Sequence, residues 1–252
     1  MTMERTTGAG QTIPPPRATF LRTRHQAGNV LLVLASHALL IAWFAIAFHV
    51  LPLLVYVPLS VAVALVHQRA MSEWIHEAAH FNLVGTKRWN DLLGNFLMIG
   101  WSPGSVPRHC ATHFQHHALN SFFRAGDRDT ALFLVGTRRE LVRALLRDVS
   151  GITVLAQYVR FGDPAGEERP DWGFLGLTAL AQVIVLTLLW MSGRLDAWLL
   201  YYGALVVAYP VMNRVRTYGQ HAELEAGACI LLGSTTSRTM DTGILGRLVV
   251  AS

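Results

Sequence analysis

The residues of this chain with the clearest chemical potential are histidines. "WIHEAAHFNL", residues 74–83, sets His76 and His80 four apart around Glu77, directly after a long apolar run. Farther along, "HCATHFQHHALN" gathers His113, His116 and His117. On an α-helix, positions i and i+4, or i, i+3 and i+4, share one face. Each group therefore presents imidazoles side by side, and neutral imidazole is a good ligand for iron, zinc and copper. Five imidazoles from two helices exceed what one tetrahedral zinc site takes, so the pattern suggests two metals. His221, in "RTYGQHAELE", stands alone; taken by itself it fits a ligand and an ordinary polar residue equally well. His25, His37, His49 and His67 flank or enter apolar stretches and are read as non-ligands, while His109 could join the second face.

A rival chemistry is written in the same residues. HEAAH matches HExxH, in which two histidines bind zinc and the glutamate is the general base of a protease. That site wants a third protein ligand, which His221 or an aspartate could supply, but it leaves the HxxHH cluster without a role. HExxH is also a short pattern, easily met by chance in a chain with 11 histidines.

The elements that position these residues are apolar. Of 252 residues, 52% are hydrophobic and 15% charged, and the mean hydropathy is positive, a balance ordinary for a polytopic membrane protein. From residue 29 to 66 the chain is almost uninterruptedly apolar. As one helix this would be roughly 55 Å long against a hydrocarbon thickness of roughly 30 Å, so two spans joined near His49–Pro52 are expected. A second pair is expected over about 174–191 and 197–215, with "SGRLD" as its turn; Pro58 and Pro210 would kink their helices. Twelve Lys and Arg residues lie between Arg69 and Arg169, whereas the two short turns hold only Arg194. By the positive-inside rule, both termini and the middle segment are cytoplasmic. All six candidate histidines then fall on one side of the bilayer.

The expected fold is an all-α integral membrane protein, four transmembrane helices in two hairpins, with a cytoplasmic helical cap carrying the metal site. Residues 1–28 read as a flexible cytoplasmic lead-in without a signal peptide, and 29–252 as one membrane domain. "NDLLGNFLMIGWSPG" is apolar but too short to span, and should lie at or dip into the interface. "TRRELVRALLRDVSGITVLAQYVRF" reads as an amphipathic helix with arginines on one side, suited either to an anionic leaflet or to packing on the cap. Cys110 and Cys229 form no CxxC or disulfide framework, and the net charge of +5 comes without the basic, aromatic-rich runs of nucleic-acid binding.

HxxxH (His76, His80) followed by HxxHH (His113, His116, His117), between two apolar pairs, resembles the membrane fatty-acid desaturase and hydroxylase superfamily. "HHALNSFFRAGDRDT" and "RTYGQH" are similar to that family's stretches after the second box and after the fourth span, over most of the chain from about residue 30 onward. The resemblance implies a non-haem di-iron centre on His76, His80, His113, His116, His117 and His221. Two irons would act with O2 as co-substrate on an acyl lipid or similar hydrophobic substrate, desaturating or hydroxylating it. It also implies an electron donor such as ferredoxin or cytochrome b5, since no haem, flavin or iron–sulfur signature is present. The family carries a third HxxHH, and no histidine follows His221 here. The expectation is a C-terminally incomplete copy of an active enzyme, with an inactive remnant as the non-enzymatic alternative. Glu77 is a candidate to orient a ligand. Asp127 and Asp129 could orient box histidines, and Asn120 and Trp74 could line a substrate path.

Overall fold

A computed structural model describes residues 26–100, 104–110, 137–162 and 171–221 of the chain. Every regular element among them is helical: α1 (Gln26–Val50), α2 (Leu53–Ala79), α3 (Lys87–Met98), α4 (Arg138–Val149), α5 (Ile152–Gly162), α6 (Trp172–Met191), α7 (Leu195–Gly203), a π turn (Ala204–Ala208) and α8 (Tyr209–His221). Four stretches are long and apolar enough to cross a membrane: Ala27–Val50, Leu53–Ala79, Trp172–Met191 and Leu195–Val215. The break between the first two falls at Leu51–Pro52, as the length of the apolar run requires, because proline disfavours helix at the residue before it.

Pro58 sits inside α2 near its start. Pro210 is the second residue of α8, just after the π turn. Proline deletes one ladder hydrogen bond and crowds the preceding turn, and a wider turn just before it gives the backbone room. α7, the π turn and α8 therefore continue as one rod.

Two apolar cores lie at opposite ends of the bundle. One joins Val33 of α1, Ile75 and Ala78 of α2, Leu97 of α3, Val106, Cys110 and Phe174 of α6. The other joins Phe44, Ala47, Tyr56 and Ala197. The first end thus collects the start of α1, the end of α2 and the start of α6, while the second collects the two tight turns. At that second end Tyr56 bonds Asp196, Arg194 Nε bonds Asp196 at 2.9 Å, and the Arg194 guanidinium lies 4.4 Å from the Phe48 ring centre. Between the ends runs a polar layer. The His37 and His67 rings meet edge-on at 4.8 Å, His67 Nδ1 is 3.0 Å from the Tyr201 hydroxyl, and Gln68 Nε2 donates to the Tyr201 carbonyl at 2.7 Å. The outer faces of the long helices stay apolar and bare: Leu54 is 90% exposed and Met191 75%. Side chains of this kind need an apolar surrounding.

Two short elements depart from a simple reading of their segments. The segment after α3 descends into the bundle, where Gly100, at φ +75°, lies so close to Gln182 and Tyr202 that a Cβ would clash with both. The arginine-bearing segment is two helices instead of one. Gly151 takes φ +76°, a conformation that costs glycine little, and turns the chain between α4 and α5.

Candidate metal centre

α2 outlasts its apolar run and carries the first histidine pair beyond it. His76 lies in its last turn and His80 caps it, with His80 N donating to His76 O at 3.2 Å. Ile75, Ala78 and Ala79 are buried in the adjacent core, which turns His76, Glu77 and His80 toward the opposite, partly open face. The two imidazole rings stand 4.7 Å apart at 61°. Glu77 Oε1 is 3.6 Å from His76 Nδ1, beyond hydrogen-bond distance. Trp74 packs against the core.

The chain leaves this pair through a strained turn. Phe81 adopts φ 60°, a left-handed conformation uncommon for a bulky residue. Phe81 N donates to Ala78 O at 3.1 Å and Asn82 N to Glu77 O at 2.9 Å, so the last carbonyls of α2 are satisfied. The turn is braced from α3 by Asn90, which is fully buried. Its Oδ1 accepts from Leu83 N at 3.2 Å and Val84 N at 3.4 Å, and its Nδ2 donates to Ala78 O at 2.8 Å. Asn29 of α1 adds a bond to Leu83 O at 3.2 Å. One turn further along α3, Asn95 Oδ1 accepts from Val106 N at 2.7 Å, and Gly94 lets Val106 and Ala78 approach the α3 backbone.

Val106 begins a helical turn, 106–110, that leads toward the second cluster. It ends on Cys110, whose Sγ donates to Ala79 O at 3.4 Å, directly beside His80. Burial pushes the Cys110 thiol up to about 11, so it is a neutral core group. The lead-in to HxxHH is thereby docked on the end of HxxxH. His113, His116 and His117 themselves lie outside the described residues, as do Asn120, Asp127, Asp129 and Cys229. His221 closes α8, the continuation of the fourth long stretch, and its side chain is likewise not described. No cluster of three or more His, Cys, Asp or Glu occurs among the described residues.

The donor chemistry of the described pair fits a metal. Two neighbouring imidazoles on one open helix face, backed by an apolar core, are what an iron or zinc ion takes from a helix. The residues that no motif marks are Asn90, Asn95 and Cys110. Their signal was indirect: polar side chains on faces that the surrounding apolar pattern would bury.

A family model described as fatty acid desaturase matches residues 51–251. No curated protein and no solved structure matches the chain. The proteolytic alternative finds no support in these comparisons.

Proposed function

Because the chain belongs to the fatty acid desaturase family, we propose that it desaturates or hydroxylates an acyl lipid or similar hydrophobic substrate at a histidine-ligated di-iron centre. The family and the four apolar helices point to a membrane protein acting on lipid. The finer reading is two hairpins with both termini and a helical cap on the cytoplasmic side, where ferredoxin or cytochrome b5 could deliver electrons. The observation that supports a shared metal site is the bond from Cys110, three residues before His113, to Ala79, next to His80.

In this reading His76, His80, His113, His116, His117 and His221 hold the metals. When bound, the irons supply activation of dioxygen and removal of hydrogen from an unactivated C–H bond. The chain's own residues do the rest. The α2 terminus holds two imidazoles at fixed separation, and Asn90 keeps the following turn closed over the core. Glu77, at its present distance, can orient His76 only after a small side-chain movement. The apolar core behind the histidines keeps water from that side of the pair.

Metal content of detergent-purified protein tests the proposal. About two irons per chain are expected, lost on His76→Ala or His117→Ala. One zinc and no iron would overturn it in favour of the HExxH reading, and protein that binds neither metal would mark an inactive remnant.

A further inference from the structure

The corner between α4 and α5 holds none of the candidate ligands, yet it is built with care. Thr137 caps α4 by a reciprocal pair of bonds with Glu140. At the other end Asp148 is fully buried against Arg214, also fully buried, with Arg214 Nη2 donating to Asp148 Oδ1 at 2.9 Å and Thr153 bonding the same carboxylate. A buried ion pair is costly to form and costlier to break, so it fixes position more than it adds stability. What it fixes is the position of the corner along the last long helix. Arg214 is the next-to-last residue of the fourth apolar stretch, Leu195–Val215. Gly151 reaches farther in: a Cβ there would stand 2.8 Å from Val206, on the same rod and nine residues short of Val215. At 1.5 Å per residue, Val206 lies roughly 13 Å along the rod from Val215, so the corner packs against the apolar stretch itself.

An element packed against the apolar stretch itself borders the surroundings which that stretch needs, and its outward surface agrees. With Ala144 and Asp148 inward, Leu146 (62% exposed) and Val149 (49%) share one outer sector of α4, and Ile152 and Leu155 beyond the corner are exposed as well. Arg139, Arg143 and Arg147 form the adjoining sector; all are exposed, and none makes an ion pair with another described residue. An apolar wedge fringed by unpaired arginines is the pattern of a helix lying in an anionic interface. A face for a soluble acidic protein would stand clear of the membrane and would not set bare leucines beside its charges.

We propose that the α4–α5 corner is seated in an anionic lipid leaflet, its apolar sector among acyl chains and Arg139, Arg143 and Arg147 on phosphate-bearing headgroups. The proposal rests on the membrane placement but not on the chemistry at the histidines, so iron content does not bear on it. The test is hydrogen exchange of the full chain reconstituted in phosphatidylcholine vesicles, with or without about 30% phosphatidylglycerol. Amides of 141–155 should exchange several-fold more slowly in the anionic vesicles, and the difference should shrink in high salt. A triple variant, R139Q/R143Q/R147Q, should lose that difference while α2 remains as protected as before, which shows the fold intact. Equal exchange in the two vesicle types would overturn the proposal. So would a difference that survives in the triple variant, or protection conferred on the corner in neutral vesicles by polyglutamate, which would point to an acidic protein instead.

Discussion

Asn90 occupies no motif, yet its amide closes the turn that follows His80 by bonding Leu83 N, Val84 N and Ala78 O. Replacing it by alanine strands two N–H groups and weakens the cover on a carbonyl, in a fully buried setting. Asn90→Ala should cost about 2–4 kcal/mol and lower bound iron with every histidine intact, read by thermal unfolding in detergent and by metal analysis. Cys110 gives a second check at this scale. Its thiol is buried and shifted up to about 11, so thiolate is scarce near neutrality. With Cys229 replaced by serine, maleimide at pH 7 should leave the folded chain unlabelled and react only after denaturation. Rapid labelling of the folded protein would contradict the docking of Cys110 on Ala79. The histidine pair was legible in the sequence because ligand type and i, i+4 spacing are local facts. Asn90 and Cys110 were not, because their roles depend on which backbone groups a left-handed Phe81 leaves to be satisfied.

Three of the four long helices were legible to within a few residues, since apolar length and prolines decide them, whereas α2 runs on to Ala79, 13 residues past the apolar run that marked it. The amphipathic segment was read as one helix because its periodicity runs through Ser150 and Gly151; tertiary contact with Val206 decides the turn. Gly151→Ala meets both a positive φ and a Cβ contact at 2.8 Å, and should destabilise by about 1–3 kcal/mol in a thermal-shift assay. Gly176→Ala, with nothing within 4 Å of its Cβ, should be neutral or slightly stabilising by its helix propensity. The Asp148–Arg214 pair predicts a non-additive result. Arg214→Met alone leaves a buried carboxylate and should cost about 3–5 kcal/mol, whereas Arg214→Met with Asp148→Leu should recover most of it. Additive losses in that cycle would mean the two side chains do not meet.

For the whole molecule, the packing keeps the histidine-bearing end distinct from the end with the two tight turns. His76 and His80 belong to the former; Phe48, Tyr56, Arg194 and Asp196 close the latter. Sequence could not foresee this closure, because it joins residues 140 apart whose types say nothing about each other. The same separation has a meaning in time. A ribosome adds roughly 5–20 residues per second, so about 7–28 s pass between the synthesis of Tyr56 and that of Asp196. Throughout that interval the Tyr56 hydroxyl, the Gln68 Nε2 and the His67 Nδ1 lack the hydrogen-bond partners that come with the last long helix. The first two helices are born incomplete, and must be held near the insertion machinery, or lent polar groups by it, until the last one arrives.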